Sequence, residues 1–198
     1  MCSDIPNPPR CPWCGSDALY CAYHDDEWGV PEWDSRALWE KLILDGFQAG
    51  LSWITILRKR ENFRAAFAGF DPVPISAWGE PEVTRLLADP GIIRHRGKIE
   101  ATIRNARAYL EIEARQGFAP FLWQFVDGRP QQNRFAFPAQ IPTATPASEA
   151  MSKALKKAGF GFCGPTITYA FMQATGLVND HLTTCHAHER IAVLANQK

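Results

Sequence analysis

The sequence lacks the features that direct a chain into or across a membrane. No apolar run approaches the roughly 20 residues needed to span a bilayer. The first residues, Met1 to Pro6, contain neither the basic segment nor the apolar segment of a signal peptide. We therefore expect a soluble, cytoplasmic protein with no membrane partner. Thiols stay reduced in that compartment, so the six cysteines are expected to be free thiols or metal ligands.

The sequence also lacks internal repeats and the alternating pattern of β-strands. Helical periodicity begins near Ser35, which can cap a helix that ends near Phe47 and restarts at Ser52. Further helices are predicted over 61–68, 81–88 and 98–115. The stretch 127–145 is rich in Pro and Gln and predicts a long connection. The apolar content, 46%, is sufficient for a sizeable core.

A helix-hairpin-helix unit is predicted beyond this connection. Thr145 can cap a helix that has Pro146 at its first position and Gly159 just past its end. A second helix runs from Pro165 to Gly176. Glycines in the link can bring backbone N–H groups close to an anion such as a phosphate. An ordinary αα-hairpin without a ligand explains the same pattern.

Cysteine and histidine residues cluster at both ends of the chain, as in a structural zinc site that takes two close pairs of ligands. Two sets of ligands are sterically reasonable, Cys11/Cys14/His181/Cys185 and Cys11/His24/His181/Cys185. Either set would fill all four positions with protein, so the metal would be structural. A redox pair of Cys11 and Cys14 is the rival interpretation, but no βαβ pattern surrounds it.

Aromatic residues and carboxylates are interleaved between positions 20 and 53. Such a set describes a pocket that would stack a flat ring and favour a cationic one, although packing in a core is the favoured interpretation of the residues alone. Asp45 is more informative, because it falls on the apolar face of a predicted helix. A carboxylate there must be paired, hydrogen-bonded or protonated. Either a functional role or a structural ion pair would explain an aspartate at this apolar position.

Five segments form a highly specific combination of motifs. They are 20–31 (YCAYHDDEWGVP), 48–53 (QAGLSW), 91–99 (GIIRHRGKI), 152–157 (SKALKK) and 176–181 (GLVNDH). With the cysteines that flank them, these motifs cover roughly positions 11 to 185. The combination resembles the 3-methyladenine DNA glycosylase I family of the helix-hairpin-helix glycosylase superfamily.

The resemblance implies an all-α, two-lobed helix-hairpin-helix DNA glycosylase fold with the lesion pocket between its lobes. The chain 1–198 would form a single glycosylase unit. We expect residues 11–50 and 145–188 to form a zinc-containing lobe with the hairpin, and residues 51–144 to form a central helical lobe. The resemblance also implies one structural zinc ion per chain, which staples the two ends through Cys11, His24, His181 and Cys185.

The resemblance assigns further site residues. The pocket carboxylate of the family, a glutamate, aligns with Asp45, whose shorter side chain withdraws its oxygens by about 1.5 Å, a gap that a water can bridge. The stacking residues fall on Tyr20, Tyr23, Trp28 and Trp53, with Trp13 as a weaker candidate. The expected contacts to DNA are a wedge at Leu51 and phosphate contacts at Gly161, Gly164 and Lys157.

The activity implied by the resemblance is removal of a damaged base. The enzyme would flip N3-methylated adenine out of alkylated duplex DNA and hydrolyse its N-glycosidic bond, releasing free 3-methyladenine. Asp45 would be the catalytic carboxylate that orients and selects the base. No lysine is placed as a nucleophile, so we expect a monofunctional, monomeric glycosylase that leaves the strand uncut. Two alternatives are a DNA-binding lesion sensor and a zinc hydrolase with an open coordination position.

The charge balance fits this interpretation only when it is divided along the chain. The total is 21 basic and 21 acidic residues, and a uniformly neutral surface would argue against binding nucleic acid. However, residues 1–50 contain nine acidic and three basic residues, which leaves 12 acidic and 18 basic residues for the remainder. The basic part includes the hairpin and the segment Arg94 to Lys98, where we expect DNA phosphates to lie.

Overall fold

The computed structural model describes residues 8–195. The segment Met1 to Pro6, discussed above, lies outside the described residues. Eleven α-helices and two short strands are formed within the described part, and their bounds in chain order are as follows: α1 Ala18–Asp26, α2 Ser35–Gln48, α3 Trp53–Leu57, α4 Arg60–Ala66, α5 Pro72–Ser76, α6 Glu80–Ala88, α7 Arg96–Gln116, α8 Phe118–Trp123, β1 Gln131–Gln132, α9 Pro146–Lys157, α10 Pro165–Ala174, β2 Val178–Asn179 and α11 Ala187–Ala195.

The described residues divide into two compact units. The smaller unit contains 8–32, 129–143 and 172–195, and the larger unit contains 33–128 and 144–171. In the smaller unit β1 and β2 pair in parallel, with Gln131 opposite Val178 and Gln132 opposite Asn179. Short 3-10 helices lie at Pro12–Cys14, Ala68–Phe70, Gln124–Val126 and Pro138–Gln140. No helix of the described residues is long and apolar enough to cross a membrane.

The larger unit is organised around α7, which packs against α2, α5, α6 and α8. Its core is aromatic, since Trp39, Phe47, Phe63 and Phe118 are almost wholly buried. The indole N–H of Trp39 donates to the Phe70 carbonyl over 2.9 Å, so this buried polar atom is satisfied. Burial of so many large rings supplies the main stabilisation of the unit.

The prediction of a mostly helical chain is confirmed, and local capping signals explain its most accurate part. Thr145 accepts a hydrogen bond from the Ser148 N–H over 3.2 Å, Pro146 begins α9, and Gly159 follows its end with a φ of 102°. At α2 the prediction is one residue off. Asp34, rather than Ser35, caps this helix, because its carboxylate accepts from the Ala37 N–H over 2.8 Å.

The two units have different boundaries from the predicted lobes. Residues 33–50 and 144–171, which include α9 and most of α10, belong to the larger unit, whereas 129–143 belong to the smaller one. The physical reason is packing. The apolar face of α2 covers α7 and α8, and α9 packs against the 3-10 helix at Gln124–Val126, so these segments share one core. The predicted connection 127–145 does contain two of the observed boundaries, near 128 and 143.

Candidate functional site

Four side chains of the smaller unit converge in one buried cluster. Cys11 precedes the 3-10 helix Pro12–Cys14, His24 lies on α1, and His181 and Cys185 lie between β2 and α11. None of the four is more than 5% exposed, and their ligand atoms all lie within 4.8 Å of one another. The fold therefore joins the two ends of the chain at these residues, as the sequence predicted.

The spacing of the cluster is that of a tetrahedral metal site. The Sγ atom of Cys185 lies 3.4 Å from Nε2 of His24 and 3.5 Å from Nδ1 of His181. The Sγ atom of Cys11 lies 3.7 Å from Nδ1 of His181. A tetrahedral zinc ion, with Zn–S about 2.3 Å and Zn–N about 2.0–2.1 Å, would hold sulfur and nitrogen roughly 3.6 Å apart. The four residues could hold a metal ion with no position left open for water.

The outer nitrogens of both histidine rings are held by other groups. Nδ1 of His24 lies 2.8 Å from Oδ1 of Asp25, and Nε2 of His181 lies 3.0 Å from the Trp28 carbonyl oxygen. Partners of this kind fix the orientation of metal-binding imidazoles. Asp25 is itself held by Arg10, whose guanidinium keeps the pKa of this carboxyl well below its usual range.

The structure distinguishes between the two predicted ligand sets. Cys14 is buried, but its thiol donates to the Cys11 carbonyl over 3.2 Å and is not part of the cluster. Burial raises the pKa of the Cys14 thiol to about 11. The geometry brings together the set that contains His24.

A second candidate site lies in the larger unit, around Asp45 on α2. This side chain is 1% exposed. Its Oδ1 atom accepts a hydrogen bond from Lys41, one helical turn earlier, while Oδ2 has no hydrogen-bond partner among the described residues. Burial raises the pKa of Asp45, and the Lys41 ammonium opposes this shift. A buried acceptor without a donor is costly, so Oδ2 marks a place where a ligand can bind.

Trp53 provides an aromatic surface at the same site. Ser52 precedes it as the N-cap of α3, and the indole is 7% exposed. The Nζ atom of Lys41 lies 3.8 Å from the centroid of the Trp53 ring, so the ammonium contacts both the ring and the carboxylate. The sequence analysis did not single out Lys41, although its spacing of four residues from Asp45 on a predicted helix was a usable signal.

The other predicted stacking residues form an aromatic group in the smaller unit. The Trp13 ring centroid lies 4.9 Å from that of Tyr20, 5.0 Å from Trp28 and 6.4 Å from Tyr23. Tyr23 and Trp28 are buried, while Tyr20 is half-buried. The Trp28 ring also packs edge-on against His181, 4.5 Å away. The indole N–H of Trp13 is buried without a hydrogen-bond partner among the described residues, so it too is available to a ligand.

The predicted wedge residue is placed on an exposed turn. Leu51 is 43% exposed, and the preceding Gly50 has a φ of 82°, a conformation that favours glycine. The turn connects α2, which contains Asp45, to α3, which begins at Trp53. Leu51 is thus an exposed apolar side chain on the turn between the helices that contain Asp45 and Trp53.

One of the predicted phosphate contacts, Gly161, lies in the link between α9 and α10. The Gly161 N–H donates to Oδ1 of Asn105 over 2.8 Å, so this amide is already used within the unit and the expectation that it binds phosphate is wrong. Asn105 reaches it from α7, a contact between residues distant in sequence. At Gly164 an added Cβ would meet open space, and Lys157 is exposed at the end of α9. Lys157 is thus exposed to solvent, and Gly164 has no neighbouring atom of the described residues within 4 Å of an added Cβ.

The predicted basic segment Arg94 to Lys98 also needs correction. Lys98 is 6% exposed, and its ammonium donates to the carbonyls of Phe47 and Ala49 over 2.8 and 2.7 Å. The expectation that it meets DNA phosphates is therefore wrong, because it caps the C-terminal end of α2. Burial lowers the pKa of this lysine. Arg96 is exposed but forms ion pairs with Glu80 and Glu100.

Comparison with known proteins gives a consistent result. The model of a family described as methyladenine glycosylase matches residues 13–188. DNA-3-methyladenine glycosylase 1 from Escherichia coli (strain K12) is 59% identical over 177 residues, which cover 89% of this chain and 95% of the relative. DNA-3-methyladenine glycosylase from Haemophilus influenzae (strain ATCC 51907 / DSM 11121 / KW20 / Rd) is 50% identical, covering 89% and 96%.

Solved structures agree with the sequence relatives. A crystal structure of 3-methyladenine DNA glycosylase I superposes with a TM-score of 0.90 at 61% identity, covering 91% of this chain and all of the other. The Staphylococcus aureus enzyme, in a study of 3-methyladenine recognition, has a TM-score of 0.87 at 38% identity, covering 90% and 96%. The fold and these relatives define the chain as a DNA glycosylase. It belongs to the methyladenine glycosylase family.

Proposed function

We propose that this enzyme excises 3-methyladenine from alkylated duplex DNA. The observation that carries the proposal is the buried carboxylate of Asp45, whose Oδ2 lacks a partner among the described residues. This carboxylate lies in the same unit as Trp53, whose ring contacts the positively charged ammonium of Lys41. A carboxylate acceptor and an aromatic face are what a flat, positively charged base with an exocyclic amino group requires. Relatives that share the fold carry 3-methyladenine glycosylase names.

The chemistry needs little acid catalysis. Methylation at N3 makes adenine cationic while it is attached to the sugar, so the leaving group is already activated. Hydrolysis breaks the bond between the sugar carbon and the base nitrogen, and its electron pair neutralises the base. Water supplies a hydroxyl to the sugar and releases a proton. Ionised Asp45 would accept a hydrogen bond from the base and favour its charge, while Trp53 would stack on it and exclude water.

The base must leave the duplex before Asp45 can reach it. We infer that Leu51 fills the space that the flipped nucleotide vacates, since it is an exposed apolar side chain on the turn between Asp45 and Trp53. Gly164 and Lys157 would contact the phosphate backbone. Tyr20, Tyr23 and Trp28 are proposed as further stacking residues on the strength of the family resemblance.

We further infer that Cys11, His24, His181 and Cys185 hold one zinc ion per chain. Support comes from the S₂N₂ donor set, its complete burial and the separations between its sulfur and nitrogen atoms. When bound there, zinc would supply structural crosslinking, because four protein ligands leave no position for a reacting water. This argues against a zinc hydrolase.

A monofunctional reaction, without strand cleavage, is the second part of the proposal. Strand cleavage would require a neutral amine that attacks the sugar. Lys41 lies at the candidate pocket, but its ammonium is engaged in an ion pair with the Asp45 carboxylate and contacts the Trp53 ring, so it is not placed as a free amine nucleophile. We expect borohydride to trap no covalent complex between the monomeric enzyme and DNA.

Base release tests the proposed function directly. The protein is incubated with methylated duplex DNA, and the bases set free are separated by chromatography while the strands are analysed on a denaturing gel. The proposal expects free 3-methyladenine and strands that break only after alkaline treatment. Binding of the lesion without release would instead identify a lesion sensor, and strand breaks without alkali would show a second activity.

A further inference from the structure

Lys98 is a buried lysine near the start of α7 that bonds the end of another helix. It is 6% exposed, and its Nζ atom donates to the Phe47 carbonyl over 2.8 Å and to the Ala49 carbonyl over 2.7 Å. The last carbonyls of a helix have no partner within it, and a positive charge there is favoured by the helix dipole. The ammonium therefore satisfies two acceptors at the point where α2 ends.

The turn that follows α2 projects away from the unit. Gly50 has a φ of 82°, and a Cβ added to it would meet no atom of the described residues within 4 Å. Leu51 is 43% exposed, and its N–H donates to the Gln48 carbonyl, a bond internal to the turn. The hydrogen bond from Lys98 to Ala49, two residues before Leu51, attaches the turn to α7.

The helix that carries Lys98 is a firm support. It packs against α2, α5, α6 and α8, and its N-cap, His95, accepts a hydrogen bond from the Lys98 backbone N–H over 3.2 Å. The centroid of the Phe162 ring, from the link between α9 and α10, lies 5.8 Å from the Lys98 ammonium. Hydrogen bonds in such a buried place are stronger than in water, so the attachment resists displacement.

We propose that Lys98 is a positioning residue that holds the Leu51 turn in place for base flipping. This inference rests on the proposed function, in which Leu51 fills the space that the flipped nucleotide vacates. Lys98 does not touch the base. It acts through the carbonyls that it bonds, by fixing the point from which the exposed turn projects.

The effect follows from the cost of ordering a wedge. Extruding a base from the duplex costs unstacking and unpairing energy, and a wedge offsets this cost best when its place is fixed before DNA binds. A turn that must be ordered during binding loses conformational entropy at that moment. Without the ammonium, the turn would be free to move, and Leu51 would hold the vacated space less well.

Binding of the free base should not depend on this attachment. A free base enters the pocket without leaving a gap in a duplex, so it needs no wedge. Asp45 and Trp53 are 1% and 7% exposed, and packing around each side chain fixes its place. Loss of the Lys98 ammonium should therefore affect release from duplex DNA and leave the affinity for free base unchanged.

Another lysine of the same unit provides a matched control. The Nζ atom of Lys59 donates to the Pro90 carbonyl over 2.9 Å and to the Gly91 carbonyl over 3.2 Å. These acceptors lie between α6 and α7. Lys59→Met thus removes the same two kinds of bond as Lys98→Met, from a segment that is not assigned to the base or the wedge.

Two measurements on each folded variant test the role of Lys98. The first is the single-turnover rate of 3-methyladenine release from methylated duplex DNA, and the second is the affinity for free 3-methyladenine by calorimetry. Lys98→Met should lower the rate by roughly tenfold and leave the affinity unchanged. Lys59→Met should alter neither. An unchanged rate in Lys98→Met would overturn the proposal, as would an equal loss in both measurements.

A double-mutant cycle shows whether Lys98 acts through Leu51. If it does, Leu51→Ala combined with Lys98→Met should release base about as slowly as Leu51→Ala alone, because residues that act as one unit are not additive. Losses that multiply would overturn the proposal, as would an unchanged rate in Leu51→Ala. If Lys98→Met does not fold, the cycle is run with Lys98→Gln, whose amide still donates near the carbonyls, and the same outcomes decide.

These outcomes separate the inference from the proposed function. Failure of the unmodified protein to release any 3-methyladenine would contradict the proposed function and, with it, the role of Lys98. Release by the unmodified protein, together with multiplying losses in the cycle, would leave base excision intact and overturn the inference alone.

Discussion

The Nδ1 atom of His24 lies 2.8 Å from Oδ1 of Asp25, on the far side of the ring from the Nε2 atom that faces Cys185. The carboxylate thereby fixes which nitrogen of His24 is available to a metal. Through this pair, the position of a metal ligand depends on a residue that does not itself belong to the S₂N₂ cluster.

Replacement of Asp25 should weaken zinc binding without removing a ligand. In Asp25→Asn, we expect an affinity for zinc lower by roughly 10- to 100-fold, because the amide orients and polarises the imidazole less strongly. Competition with a chelator measures the affinity. The exposed neighbour provides the control, and Asp26→Asn should bind zinc as the unmodified protein does. Equal affinity in both variants would show that Asp25 has no such role.

The choice between Cys14 and His24 as a ligand predicts opposite results for two variants. Cys14→Ser should retain one zinc ion per chain after dialysis, because its sulfur faces the Cys11 carbonyl instead of the cluster. His24→Ala should lose zinc and stability. A loss of about 2 kcal/mol corresponds to a fall in Tm of roughly 4–8 °C at this chain length. Elemental analysis showing the reverse pattern would identify the other ligand set.

Lys157 should contribute to DNA affinity through charge alone. If its ammonium neutralises one phosphate, Lys157→Ala should reduce the slope of log K against log salt concentration by about 0.9 for duplex DNA. The neighbouring Lys156 is also exposed on α9 and has no assigned contact, so Lys156→Ala is the matched control. Fluorescence anisotropy at several salt concentrations gives both slopes. Equal slopes in the two variants would remove Lys157 from the DNA interface.

The raised pKa of Asp45 predicts an acid limit on base release. Burial favours the protonated carboxyl, and Lys41 opposes this only in part, so Asp45 should gain its proton above the usual value near 3.9. The ionised form binds the cationic base, so release should decline as pH falls through the raised pKa. In Asp45→Asn, the residual rate of release should not show this decline at low pH. A decline that persists in the variant would be caused by another titratable group.

Sequence alone predicted the parts of the fold that depend on neighbouring residues. The cap of α9 at Thr145 and its end at Gly159 were predictable because both are set within one turn of the chain. The convergence of Cys11 with Cys185 was also predictable from the types of residue at the two ends. However, the residues alone could not decide between Cys14 and His24, because that choice depends on the direction in which each side chain points.

Contacts between distant segments limited the remaining predictions. The Gly161 amide was expected to be open, but Asn105 accepts its hydrogen bond from 56 residues away. The ammonium of Lys98 was expected on the surface and instead closes the end of α2. Lys41 was missed for a related reason. A lysine four residues before an aspartate usually forms an exposed helical pair of little consequence, and only packing against Trp53 makes this one different.

Release of 3-methyladenine by Asp45 variants tests the central claim most directly. Free base released from methylated duplex DNA is measured for the unmodified protein, Asp45→Ala and Asp45→Glu at equal concentration, with circular dichroism to confirm folding. We predict that Asp45→Ala lowers the single-turnover rate by roughly 100-fold or more, while Asp45→Glu, which retains a carboxylate, keeps most of it. A folded Asp45→Ala protein that releases 3-methyladenine at the unmodified rate would contradict the account.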